Sequence, residues 1–585
     1  MKRCLLVWAL CLSVCLVACK DEVAQKGCHS ADECGGAPCN ACVDGVCVPM
    51  PCADLSELSD LDDIAPWECI DADACGGAPC NACIDGVCVV MPCADVIDTD
   101  HSDLDGGEAC SESTCEGSVH VRCVDGQVAG REDCADREPA AECRVAGCLV
   151  ATAAPGRCAE IAQEVVAVNG PVVLVAPGEN GLVSVDGTET TLRQVVATAE
   201  PGSTLLLLDG TYTFAEASGG SYTGLYITTP GLTLRSTTGD AAAVILDSNY
   251  ADHGGETGPI TVAAPGVTLA NFTVQRSIFH LIHVWRGGDD LRVHNVRLVD
   301  GGQQFLKSSP GSGQRISGGA VTCSHFLMTE QGRRNVWGYG PADGYTRCYT
   351  GGIDTHDSDG WTITDNLFEG IYCDGHPHPE HGKKREGVAF ATYTGGLAEH
   401  AIHMWAGRAE APHLIARNRI VNCARGIGLG MGDTLRVQGG LVMNNALSTV
   451  HPGGPEHDVG IILEGAQDVA VYNNTLYFHH PEAYANAIEL RFGSSSGARV
   501  MNNLSNRAIR LRDGATAEQA TNVSEAAHDW FVDAAAGDLR LADCANAAVV
   551  AAGTPLAEVI DDLLGQPRGA GAPDLGAFQC GGLLP

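Results

Sequence analysis

Across residues 165–585 apolar and polar residues alternate in short runs that stop at an asparagine and then resume. The runs are Val267-Thr-Leu-Ala-Asn271, Leu291-Arg-Val-His-Asn295, Trp361-Thr-Ile-Thr-Asp-Asn366, His413-Leu-Ile-Ala-Arg-Asn418, Leu441-Val-Met-Asn-Asn445, Val469-Ala-Val-Tyr-Asn-Asn474 and Arg499-Val-Met-Asn-Asn503. A period of two puts successive side chains on opposite faces of a strand, so each run predicts a strand, a turn and a second strand. The asparagines follow one another at 24, 27, 29 and 29 residues, and at 71 and 52 where two or three coils with insertions are expected. Units of this size predict a solenoid of stacked parallel strands, its asparagines bonding one another along the stack. We therefore expect an all-β fold and assign these asparagines to structure.

A second set of runs carries polar residues outward. It reads Leu281-Ile-His-Val-Trp285, Gly352-Ile-Asp-Thr-His356, Ala401-Ile-His-Met-Trp405 and Ala487-Ile-Glu-Leu-Arg491. With isoleucine and the residue two later facing the core, His283, Trp285, Asp354, His356, His403, Trp405, Glu489 and Arg491 face out. Twelve residues separate Asn271 from His283 and Asn295 from Lys307, which places Lys307 on the next rung of the same column. Rungs stack about 4.8 Å apart. The expected column is His283, Lys307, Asp354 and His403, with Trp285, His356 and Trp405 beside it. Glu399-His400-Ala-Ile-His403-Met-Trp405 repeats the order of His280-Leu-Ile-His283-Val-Trp285, which adds Glu399, His280 and His400. The column reads either as an ordinary polar surface ladder of His and Lys or, given its two tryptophans expected to be exposed, as a platform for sugar rings. In Arg425-Gly-Ile-Gly-Leu-Gly-Met-Gly432 the outward positions are glycine, read either as a floor for a ligand or as a tight bend.

Charge narrows the partners. The formal net charge is -38, and residues 20–160 alone hold 29 Asp and Glu against 7 Lys and Arg. That excludes nucleic acid or anionic lipid bound through a basic surface. Met1-Lys-Arg3 and the apolar run Cys4–Val17 form an export signal too short to span a membrane. No other run is long and apolar enough to do so.

Cysteines divide the chain beyond the export signal. Cys28, Cys34, Cys39, Cys42, Cys47 and Cys52 recur 41 residues later as Cys69, Cys75, Cys80, Cys83, Cys88 and Cys93. In an exported chain this reads as three disulfides per repeat, with zinc at Cys39-x-x-Cys42 the lesser reading. A third module holds Cys110, Cys115, Cys123, Cys134, Cys143, Cys148 and Cys158, an odd number that leaves one partner unassigned. We divide the chain into a signal peptide (1–19), two repeats with acidic linkers (20–108), a third module (109–160) and the β-domain (165–585). The linker Asp95–Glu108 is rich in oxygen ligands and is a candidate for calcium, against a plain solvated linker. Cys323, Cys348, Cys373, Cys423, Cys544 and Cys580 are read as disulfide partners, Cys544 with Cys580. His376-Pro-His-Pro-Glu-His381 lies in an insertion, Asp374–Leu397, read as a lid or loop ahead of a metal site. The metal content of the β-domain is left unknown.

Four resemblances sharpen this. Leu16-Val-Ala-Cys19 resembles a bacterial lipobox, which implies a lipid on Cys19, and Lys20 after it implies the outer membrane or cell surface. The helical stretch Thr191–Glu200, then Pro-Gly-Ser-Thr204, an apolar strand and Asp209-Gly-Thr-Tyr212, resembles the entry of right-handed parallel β-helices of the pectin-lyase-like superfamily. There the helix caps the open end of the core. The runs Gly351-Gly-Ile-Asp354, Glu399-His-Ala-Ile-His403 and Cys423-Ala-Arg-Gly-Ile-Gly428 resemble those of exported β-helix proteins of unassigned activity. The architecture also resembles the chondroitinase-B/alginate-lyase family. The analogous runs, 401–407 and 419–432, lack that family's Lys-Ser and Arg-His signatures, so its catalytic pair is not carried over.

Two glycan reactions suit such a wall. In β-elimination from a uronate, a base takes the proton beside the carboxylate while cations stabilise the enolate. Lys307, His283 and His403 are the candidates, with Arg491 or a cation on the carboxylate. Hydrolysis needs two carboxylates, from Asp354, Glu399, Glu464 and Glu489. We expect catalysis from Lys307, His283, His403, Asp354, His356 and Glu399. Polysaccharide would be held by Trp285, Trp405, His280, His400, Arg425, Glu489 and Arg491. A lyase is favoured over a hydrolase, and a non-catalytic glycan-binding or adhesive surface protein is the alternative class.

Overall fold

The computed structural model describes residues 155–166, 170–215, 222–251, 253–254, 258–335, 350–373, 398–449, 458–479, 486–569 and 571–580, preceded by the backbone of short strands between 40 and 150. The expected export signal with Cys19, the acidic linkers with the calcium candidate, the side chains of the repeat cysteines, Cys348 and the His376–His381 run lie outside the described residues. The chain forms two compact units, 1–105 and 106–585. In the first, Asn40–Val43 pairs antiparallel with Val46–Pro49 and Asn81–Ile84 with Val87–Val90, setting Cys42 opposite Cys47 and Cys83 opposite Cys88.

In the second unit three sheets wind into a right-handed parallel β-helix, one of 14 strands and two of 10. The first sheet opens with the antiparallel strands Thr188–Thr191, Leu182–Val185 and Val172–Pro177, then runs parallel from Thr204–Leu207 to Ala517–Ala520. The helix Leu192–Thr198 stands where the sequence predicts a cap. Thr191 Oγ1 accepts the Gln194 N–H at its start, and Leu192, Val195 and Val196 are buried against the core. That satisfies an orphan helical donor while closing the apolar end of the solenoid.

The third sheet contains the predicted wall. Its inward column, Ile260, Ile282, Leu306, Ile353, Ile402, Ile427, Ile461 and Ile488, is in register on successive strands, and every member is fully buried. Each such side chain contributes about 1.5–3 kcal/mol by leaving water. Phe326 and Phe368 stack at 4.4 Å behind them.

The asparagine ladder exists, but as two columns. Asn366, Asn418, Asn445 and Asn474 each donate from Nδ2 to the Oδ1 of the next, at 2.9–3.0 Å, ending on Asn503, which donates in turn to Asn522. The same Oδ1 atoms accept backbone N–H groups, as Asn445 does from Asn418. Asn271 and Asn295 bond each other one residue earlier in the coil, at the left-handed turn position later held by Cys323, Asp365, Arg417, Asn444, Asn473 and Asn502. A single asparagine column therefore does not run the length of the solenoid. Asparagine serves both places, because it tolerates positive φ and also offers a donor and an acceptor. The 71-residue gap is two coils, the middle one turning at Cys323, and the 52-residue gap is a single coil that carries the Asp374–Leu397 insertion.

Cys544 pairs with Cys580 as expected, whereas Cys158 pairs with Cys323. One cysteine of the third module, on the helix Pro155–Val165, is thus bonded to a solenoid turn. Cys373 is disulfide-bonded. Cys423 is a buried thiol rather than a disulfide partner, and burial pushes it up to about 12.

Candidate functional site

Strand register fixes the site. His283, Lys307, Asp354 and His403 are partners on four successive strands: Ile282–Val284, Gln303–Ser308, Thr350–Thr355 and His400–Met404. Trp285, Ser309, His356 and Trp405 follow two residues on. The two His/Trp stretches are three strands apart, although 120 residues of sequence separate His283 from His403. The column faces away from the core yet is closely covered. His283 and Lys307 are each 8 % exposed, and Trp285 and Trp405 are half-buried rather than exposed.

Lys307 is the centre. Its ammonium donates to Asp354 Oδ1 at 2.8 Å and to His356 Nε2 at 2.7 Å, and Nζ lies 5.5 Å from the centre of the Trp405 ring. An ammonium has donors only, so His356 Nε2 carries a lone pair and its proton is on Nδ1. Asp354 is fully engaged, since its Oδ2 accepts the Trp405 indole N–H at 3.1 Å. The same N–H reaches His403 Nδ1 at 3.0 Å, and His403 Nε2 lies 3.0 Å from the Gly430 carbonyl. His403 is therefore the Nε2–H tautomer, its proton donated to Gly430 and its lone pair facing the indole.

His283 differs. Neither of its ring nitrogens has a hydrogen-bond partner. Burial first, then the Lys307 charge and His356, pushes it down to about 4. Burial and the Lys307 charge also lower His356. His280 is held well below the usual imidazole range, chiefly by burial, and its Nδ1 meets the Gln304 carbonyl at 2.8 Å. The wall thus presents neutral imidazoles around one fixed cation.

His400 comes from a bend in the strand. Ala401 and Ile402 both join the core, as Leu281 and Ile282 do, so His400 and His403 end on the same outer side with ring centres 4.5 Å apart. Neither nitrogen of His400 has a hydrogen-bond partner, and burial holds it well below the usual range. Its ring leans over Gly428, where an added Cβ would sit 2.9–3.1 Å from the imidazole. The glycine run is accordingly no open floor. Gly426 faces Leu447 and the Gly460 carbonyl, Gly430 turns with positive φ against the Glu464 carbonyl, and Gly428 is roofed by His400. Beside it, Glu399 Oε2 lies 4.0 Å from His400 Nδ1 and 3.6 Å from Arg425 Nη1. Glu399, His400 and His403 are the group among the described residues with donor atoms close enough to share a metal ion.

Glu489 and Arg491 do not join this cluster. The strands carrying Gly428 and Ile462 intervene, and both are paired locally, Glu489 with Arg512 at 2.7 Å and Arg491 with Glu464 at 3.0 Å. Arg425 does join, through Glu399 and through Asp458 at 3.0 Å. Sequence reasoning missed the Gly430 and Gln304 carbonyls, which fix two histidines, because backbone acceptors leave no trace in residue identity.

No protein-family profile and no curated protein matches the sequence. Among solved structures, the chain is similar to the pectate lyase Pel9A (14 % identity, 70 % of this chain and 96 % of that one, TM-score 0.37). It is also similar to a PL6 family polysaccharide lyase from Pseudopedobacter saltans (13 %, 57 % and 92 %, 0.29) and to a polygalacturonase from Erwinia carotovora ssp. carotovora (11 %, 56 % and 90 %, 0.30). These are distant likenesses of fold, and what the three parallel sheets themselves establish is a right-handed parallel β-helix.

Proposed function

We propose that this protein cleaves a uronate-containing polysaccharide by β-elimination on the wall formed by His283, Lys307, Asp354, His356 and Trp405. The observation that carries the reading is the Lys307 ammonium, held between Asp354 and His356 next to the unpartnered neutral imidazole of His283. Proton removal beside a carboxylate needs that combination, a base in its basic form and a fixed positive charge where the enolate develops. His283 takes the proton, the C–H electrons form the new double bond, and the glycosidic oxygen departs with the C–O bonding pair and takes that proton back from His283. The substrate carboxylate against Lys307 offsets the charge that depresses His283, so the base strengthens as substrate binds. His403 has both nitrogens engaged and positions Trp405 and Asp354 rather than acting as base.

Hydrolysis is the weaker reading. Asp354 is 1 % exposed with both oxygens occupied, and Glu399 faces Arg425. Glu464 and Glu489 are paired with arginines further along the sheet. We further propose that the chain is tethered by a lipid on Cys19 at the outer membrane or cell surface, on the strength of its lipobox-like run.

The test incubates the protein with uronate-containing and neutral polysaccharides and follows unsaturated-product absorbance, new reducing ends and solvent-deuterium uptake into the polymer. Unsaturated product lost in His283→Ala and Lys307→Ala supports the reading. Binding with none of the three signals would establish a glycan-binding protein in its place, and reducing ends without unsaturation a hydrolase.

A further inference from the structure

We propose that Glu399, His400 and His403 form a binding site for a borderline divalent cation of the zinc type. This goes beyond the reaction above and does not depend on it. One donor atom from each of the three residues lies within 4.8 Å of the others. A tetrahedral zinc site holds its ligands about 3.3 Å apart at bond lengths of ~2.0–2.1 Å, so closure asks for roughly an ångström of side-chain adjustment.

The independent observation is His400. It is 7 % exposed, yet neither ring nitrogen has a hydrogen-bond partner. A buried polar group left unpaired costs about 1–3 kcal/mol. Gly428 leaves room for this ring where any side chain would expel it. The fold thus places an imidazole, at a cost, beside a carboxylate and a second imidazole.

The molecule carries its own control in the earlier copy of the stretch. There Phe279 stands where Glu399 stands in the later copy, and His280 Nδ1 is satisfied by the Gln304 carbonyl. The ligand set is assembled in one copy alone. When His403 Nε2 leaves the Gly430 carbonyl for a cation, its proton moves to Nδ1; the Trp405 indole N–H then gives up that nitrogen and donates to Asp354 Oδ2 alone, and the same carboxylate oxygen, 3.7 Å from Nδ1, must close on the new N–H. A metal-bound imidazole backed by a carboxylate is the usual way such a ligand is oriented. Two imidazole nitrogens and one carboxylate oxygen select zinc, cobalt or nickel over calcium and magnesium, and three protein ligands leave a position open to water or a substrate oxygen. Arg425 competes for Glu399, which tempers the affinity.

The test titrates the full chain, with His376, His378 and His381 changed to alanine so that the insertion contributes no ligands, with Co²⁺ after chelation and dialysis. The expected result is one equivalent bound with a visible d–d band, displaced by Zn²⁺ and unaffected by excess Ca²⁺. Glu399→Gln and His400→Ala each weaken Co²⁺ binding at least tenfold. No band, or a band of unchanged affinity in both variants, overturns the site. Melting curves without metal report whether each variant folds. Should His400→Ala fail to fold, Glu399→Gln, altered at a partly exposed side chain, decides.

Discussion

Lys307 Nζ and Asp354 Oδ1 lie 2.8 Å apart on adjacent strands, with side chains only 9 % and 2 % exposed. Breaking a buried pair by removing one partner strands the other charge, at about 3–5 kcal/mol, whereas replacing both by apolar residues of similar size is often neutral. Asp354→Ala is therefore expected to destabilise the fold strongly and Lys307→Met/Asp354→Leu far less. Urea unfolding of the two variants measures this. Equal losses would mean that the pair's charges matter less than its packing.

Acid should weaken the fold through His283. In the unfolded chain its imidazole titrates near 6.5, and in the folded chain at about 4. Between these values the unfolded state binds more protons, so stability is full above about pH 6.5 and falls as pH drops towards 4. The single group is worth on the order of 3 kcal/mol across that window. His294, pushed down to about 4 by burial, acts in the same direction. His283→Gln should flatten the curve by its share, and a slope unchanged by the substitution would contradict the assignment.

The two glycines of the run separate site from fold. At Gly426 a Cβ would meet the Gly460 carbonyl at 2.1 Å and Leu447 at 2.4 Å, so Gly426→Ala should prevent stable folding. At Gly428 the obstacle is the movable His400 ring. We expect Gly428→Ala to shift the melting temperature by a few degrees only. Cobalt binding at Glu399, His400 and His403 should weaken at least tenfold.

Asn445 stands mid-ladder with no exposure. It accepts two N–H groups from Asn418 and donates to Asn474 and to the Ile415 carbonyl. Asn445→Ala orphans buried donors, and about 2–4 kcal/mol should be lost in chemical denaturation. Asn522, the last acceptor and half-buried, should cost less when changed.

The wall is legible in the sequence because two regularities are physical. Alternation sorts Ile402 from His403, and a constant twelve-residue step from the turn to the outward column carries His283 to Lys307. What stays hidden breaks one regularity or the other. The bend that buries both Ala401 and Ile402 brings His400 round to the outer side, which strict alternation does not anticipate. Insertions obscure the coil count, so Glu489 reads as a neighbour of a cluster that two intervening strands keep it from. The ladder slips by one residue between Asn295 and Asn366 because asparagine suits both the turn and the position after it. Half-burial of Trp405 depends on Lys307 and His356, residues distant in the chain.

The Cys158–Cys323 disulfide spans 165 residues. A pull applied to the chain ahead of Cys158 would pass through this bond directly into a turn in the middle of the solenoid. The cap helix and the first coils then lie in a closed loop that carries no load. Those coils hold the end at which a parallel stack would otherwise begin to unzip. Tension entering at Cys323 would bypass the strands that carry His283 and Lys307, which precede that turn inside the closed loop.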